Sequence, residues 1–280
     1  MIRREMFLPE GDRVWALISQ VEHAHLAADL ARSWRDPLAP EETRDGPRTS
    51  AAEDELLAAI EHHDDGWAEW EEAPELDPEH GRPRSFMEMP QPDSLAIWSK
   101  SIAVAEQIGP LAAWVVAGHF SALLKIGGEA RSAEADLARE WNDLMRSRRT
   151  AWLGHWTASA ADHTQEVADH ALQALQFFDA ASLWICCTCP PEGPLTAVAD
   201  DDAVLTLEGT DYRFTSRALR NAPHEAPRGT IRPWPVEGDD AQFSVDCRIV
   251  PAGGFRTTEE LLQAQQPYRL TWRLRDEQRS

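Results

Sequence analysis

The sequence predicts a mainly α-helical domain over residues 12–188 followed by a smaller β-rich region over residues 196–276, α+β overall. Three observations predict it. Apolar residues recur at helical spacing as far as "LWICC". The Pro/Gly-rich break "CPPEGP" then interrupts the pattern. Beyond it, short runs such as "AVLTLEG" and "AQFSVDCRIV" have the alternating, β-branched character of strands.

The elements follow in order. "RVWALISQVEHAHLAADLARSW" carries apolar positions at helical spacing and reads as one helix. "EDELLAAIEHHDD" is a shorter helix ended by Gly66. The loop "EEAPELDPEHGRPRSFMEMPQPD" is rich in proline and acid, a natural place for substrate-facing residues. Next come "SLAIWSKSIAVAEQI", the nearly all-apolar "GPLAAWVVAGHFSALLKIGG", a long charged helix near residues 129–157, and "DHTQEVADHALQALQFFDAASLWICC". In the β-rich region, "YRFTSRAL", "GTIRPWPV" and "YRLTWRLR" complete the strands, and "TTEELLQAQQ" is one short helix among them.

Composition narrows the partners. The chain has 280 residues and a formal charge of −21, which disfavours binding to nucleic acid or to an anionic membrane surface. No run of about 18 apolar residues is present, and the start lacks the apolar core of a signal peptide. Three of the four cysteines crowd into "ICCTC", which is no secreted disulfide framework, so a cytoplasmic protein is expected. A zinc site at Cys186, Cys187 and Cys189 lacks a completing pair, and buried structural thiols explain them more simply.

Helical phase sorts the ten histidines. His23 shares a stripe with Ala27, Leu30, Ala31 and Trp34, whereas His25 lies with Asp29 and Arg32. Leu56, Leu57, Ile60, His63 and Asp64 form one face, leaving His62 peripheral. His119 falls among Ala112, Val115, Val116 and Leu123. Asp179 interrupts the stripe Leu172, Leu175, Ser182, Leu183, Cys186, where a carboxylate is costly unless paired or bound to a cation. Taken singly, an inward His is a hydrogen-bonded core residue and an inward Asp a cap or an Arg partner. Taken together, four helices each place a His or Asp inward, and these are N and O donors suited to a divalent metal.

His23, then His63-Asp64, then Asp179, each on its own helix, resembles the HD-domain superfamily of metal-dependent phosphohydrolases. "HAHLAADLA" looks like that family's first-ligand helix, "HDDGW" like its His-Asp turn, and "FFDAASL" like its closing helix. The resemblance is closest to an uncharacterised bacterial branch with a β-rich tail containing a Pro-Trp-Pro type motif, here "RPWPV". It implies an all-helical bundle around a metal held by His23, His63, Asp64 and Asp179, with His119 and His80 as further ligands if a second ion binds. Fe, Mn, Zn or Ni, one or two ions, would serve.

The implied activity is hydrolysis of a small phosphorylated metabolite or nucleotide. Asp64 would handle the proton, and Arg82, Arg84 and Lys125 would hold the phosphate. A di-iron oxygenase of a small polar substrate is the first alternative, and a non-catalytic metal- or ligand-binding module the second. The β-rich tail either closes over the pocket or joins copies in a homo-oligomer.

Overall fold

The computed structural model describes residues 1–34, 51–126, 133–197, 201–217 and 228–276. The chain opens with a β-hairpin, β1 (Ile2–Phe7) and β2 (Arg13–Ile18), and then enters α1 (Gln20–Ser33). Helices α2 (Ala51–His62), α3 (Ala68–Glu72), α4 (Gln91–Ile108), α5 (Pro110–Ile126), α6 (Ala133–Ser159) and α7 (Gln165–Cys187) follow. Then come β3 (Ala203–Leu207), β4 (Thr210–Arg217), β5 (Arg228–Arg232), β6 (Asp240–Pro251), α8 (Thr258–Ala264) and β7 (Gln266–Asp276).

All strands join one seven-stranded sheet in the order β1-β2-β6-β7-β5-β4-β3. Its pairings are antiparallel except β5 with β7, which is parallel. This overturns the expected all-helical bundle with a β-rich tail, because strands from both ends of the chain share the sheet.

The physical reason lies in two short segments. "RVWALI" buries Val14, Ala16, Leu17 and Ile18, so its apolar positions fit either period and merge with the helix that follows. The boundary is Ser19, whose hydroxyl accepts from the Glu22 backbone N–H at 2.9 Å as the N-cap of α1. In β1 the alternation is disguised because Arg4 occupies an inward position between Ile2 and Met6. Its guanidinium donates to the carbonyls of Ile185, Cys186 and Thr188, satisfying the open C-terminus of α7.

Helices α1 and α7 lie against the sheet and against each other, and α2 and α5 pack on them. Trp34 joins the layers. Its ring meets Phe177, Phe178 and Tyr212 edge-on at centroid distances of 5.2, 5.4 and 5.0 Å. One aromatic cluster thereby ties α1, α7 and β4 together. Helix α5 begins without a local cap. Instead the Glu55 carboxylate of α2 accepts from the N–H groups of Leu111 and Ala112 at 2.7 and 3.1 Å. That contact fixes the axial position of α5, and with it His119.

Candidate metal centre

Four inward residues meet where α1, the end of α2 and α7 converge. His23 and His63 are fully buried, Asp64 is 4% exposed and Asp179 8%. His23 Nε2 lies 3.0 Å from Asp64 Oδ2 and 3.5 Å from Asp179 Oδ1. His63 Nε2 lies 3.6 and 3.3 Å from the same two oxygens. His119 Nε2 stands 3.8 Å from the other Asp179 oxygen, Oδ2. The His23 and His63 rings are perpendicular, with centroids 5.3 Å apart.

Local structure explains the convergence. His63 and Asp64 lie just past the end of α2, ahead of a 3-10 turn over Asp65–Trp67. Gly66 in that turn lets α4 approach closely. A Cβ there would sit 2.2 Å from the Ile97 carbonyl oxygen and 2.7 Å from the Ser101 nitrogen. The Gly66 N–H instead donates to Ser101 Oγ at 3.0 Å. Gly66 therefore serves a close backbone approach rather than a left-handed helix end. On the outer side, His62 pairs with Asp65 at 2.9 Å and takes no part in the cluster.

The tautomers can be read from the partners. His63 Nδ1 donates to the Ile60 carbonyl at 2.8 Å, so in the neutral ring the lone pair is on Nε2, which is buried and has no hydrogen-bond partner among the described residues. Ser182 Oγ donates to the Asp179 carbonyl at 2.9 Å and accepts from His23 Nδ1 at 2.7 Å, which turns His23 Nε2 inward as well. Both Nε2 atoms thus face the two carboxylates, with His23 Nε2 at hydrogen-bond distance, 3.0 Å, from Asp64 Oδ2. One ligand atom each from His23, His63 and Asp179 lie within 4.8 Å of one another. Ligands at about 2.0–2.2 Å from one ion are themselves separated by about 3–4 Å, so the spacing fits a metal. With a metal in place of the Nε2 protons, two imidazoles and two carboxylates would match the charge of one divalent cation.

The electrostatics agree. Burial raises the cost of charge on Asp64, but His63 and His23 outweigh it and hold its carboxyl below the ordinary value. Asp179 is likewise held low against burial by His119, His63 and His23. Burial alone would lower the His63 pKa, yet Asp64 and Asp179 lift it to about 9. Burial depresses His119, which stays neutral at physiological pH, with its Nδ1 buried and without a hydrogen-bond partner among the described residues.

The other sequence candidates sit elsewhere. His80 is 55% exposed at its side chain and bonded to Asp77 at 3.0 Å. Arg82 bridges Asp77 and Glu88 at 3.1 and 2.8 Å. His80 and Arg82 line a pocket of about 430 Å³ with Arg3, Arg13 and Trp15, and none of the cluster residues lines it. Arg84 faces Glu75 at 3.6 Å. Lys125 lies at the end of α5, and its side chain is outside the described residues. Ser182 and the Ile60 carbonyl are positioning groups that the sequence reading did not single out. Ser182 had a signal, a hydroxyl one turn after Asp179 on the same stripe. A backbone carbonyl leaves none.

No helix among the described residues is long and apolar enough to cross a membrane. Residues 6–252 match the model of a family described as a protein of unknown function, DUF3891. No curated protein and no solved structure matches the chain.

Proposed function

This chain belongs to the DUF3891 family, and from that premise we propose that it is a metal-dependent hydrolase of the HD type. Its substrate is a small phosphorylated metabolite or nucleotide. The reading keeps the ligand order of that superfamily, His23, His63-Asp64 and Asp179, without its all-helical bundle. The observation that carries it is the convergence of His23 Nε2 and His63 Nε2 on the same two buried carboxylate oxygens, with one ligand atom each of His23, His63 and Asp179 within 4.8 Å of one another.

His23, His63, Asp64 and Asp179 would hold the ion, and the N/O donor set suits Fe, Mn, Zn or Ni. When bound, the metal supplies an acidified water and polarises the phosphoryl oxygen. The protein does the rest. Asp64, ionised at neutral pH, would be the group to take up the water's proton. Ser182 and Ile60 hold the two imidazoles in the ligating tautomer. Neutral His119 faces the Asp179 oxygen not turned toward His23 and His63, Oδ2, at 3.8 Å. With Arg82 and Arg84 paired to acids of their own loop, the substrate's negative charge falls to the metal.

The test is elemental analysis of freshly purified protein alongside phosphate release from a panel of nucleotides and phosphomonoesters. About one divalent metal per chain, with turnover lost in His63→Ala and Asp64→Ala, is the expected result. A well-folded protein without metal would sink the site. A metal-loaded protein inert across the panel would make it a binding module.

A further inference from the structure

A second constellation, on the sheet, is left without partners among the described residues. Strands β4 and β5 are antiparallel, with Arg213 directly opposite Arg232 and Thr215 opposite Thr230. The register continues with Arg217 opposite Arg228. The two segments read Arg-Phe-Thr-Ser-Arg and Arg-Gly-Thr-Ile-Arg, so one pattern meets itself head to tail. The Thr215 and Thr230 hydroxyls are hydrogen-bonded across the pair, which places these positions on a common face. Tyr212 and Phe214, of the opposite parity, pack on Trp34, Phe177 and Trp184. The arginine face therefore looks away from the helices that carry the metal cluster.

Arg213 and Arg232 are exposed and line a pocket of about 440 Å³ with Val204, Asp211 and Pro233. Like charges placed directly opposite on a sheet are destabilising. Acidic residues outnumber basic ones 48 to 27 here, so a counter-carboxylate is abundant in the sequence. Even so, among the described residues neither guanidinium makes an ion pair or hydrogen bond. Asp211, in the same pocket, is engaged by the Thr206 hydroxyl at 2.6 Å.

We propose that the Arg213–Arg232 pair binds the phosphoryl group of a small phosphate-bearing molecule, at a site separate from the metal centre. Two planar guanidinium forks suit a tetrahedral oxyanion, and a dianionic phosphoryl group neutralises both charges where a monocarboxylate leaves one. The pocket volume lies within the range of small-ligand sites, about 300–1,000 Å³. The site does not depend on the hydrolase reading.

Inorganic pyrophosphate, titrated calorimetrically into the full chain at low ionic strength, is the probe. Saturable binding is expected, weakened at least tenfold by Arg213→Gln and by Arg232→Gln, and unchanged in His63→Ala. Both arginine variants should melt no lower than wild type without ligand, because a like-charge contact is relieved. Three results overturn the proposal. One is the absence of saturable binding. The second is binding lost in His63→Ala but kept in the arginine variants. The third is an oligomer in sedimentation that the arginine variants dissociate, which would assign the pair to carboxylates of a second copy.

Discussion

Replacing Ser182 by alanine separates a metal ligand from an ordinary buried histidine at position 23. The Ser182 hydroxyl is fully buried, accepts from His23 Nδ1 at 2.7 Å and donates to the Asp179 carbonyl at 2.9 Å. Its loss leaves a buried N–H without an acceptor, costing the metal-free fold about 1–3 kcal/mol. It also frees the His23 ring to turn. Loss of such an outer partner lowers metal affinity by about 10–100-fold, equivalent to about 1.4–2.8 kcal/mol. The metal-loaded protein should therefore lose more stability than the metal-free one. Urea unfolding of both forms, with metal competition against a chromophoric chelator, measures the two quantities separately. Equal losses in both forms, with metal affinity within twofold of wild type, would refute His23 as a ligand aimed through Nδ1.

Three further outcomes follow from the geometry. His63 titrates near 9 in the metal-free protein, above its unfolded value, so its contribution to metal-free stability is complete below about 6.5 and fades as pH rises through 9. Metal uptake must displace that proton, so affinity should climb about tenfold per pH unit up to about 9. Calorimetry in two buffers of different ionisation enthalpy should find close to one proton released at pH 7, and a pH-independent affinity would contradict this. Gly66→Ala forces a Cβ against the backbone of α4, so a loss of at least about 1–3 kcal/mol is expected in thermal melts, with reduced metal content. Trp34→Ala opens the junction of α1, α7 and β4 and should cost about 3–5 kcal/mol by chemical denaturation; a loss under 1 kcal/mol would count against that junction.

The cluster was largely legible in the sequence because helical phase is a local property. His23 is buried while the His25 side chain is 44% exposed, and His63 is buried while that of His62 is 39% exposed. Three kinds of information were not legible. The β1–β2 hairpin was hidden because "RVWALI" flows into a helical pattern and Arg4 stands where an apolar residue would announce a strand. The stop at "SQVE", a serine followed three residues later by glutamate, was the missed punctuation. His80, Arg82 and Arg84 follow the His-Asp turn closely in sequence, but loop closure turns them toward Asp77, Glu88 and Glu75. Sequence proximity carries no direction through an irregular loop. The supporting contacts to the Ile60 carbonyl and to Ser182 depend on tertiary placement, which no periodicity encodes.

The sheet order also sets when the protein can become itself during synthesis. Strand β2 pairs on one side with β1 and on the other with β6, where Val14 meets Pro251. Until the ribosome has delivered β6, the N-terminal hairpin offers an unpaired edge, a template for wrong partners. Helices α1 and α7 are complete by then, yet the surface on which they settle is not. Contacts so distant along the chain make folding slow. The ligand set therefore matures only after the last strands emerge, and a nascent chain halted before residue 240 would carry every proposed ligand without the sheet that aligns α1 with α7.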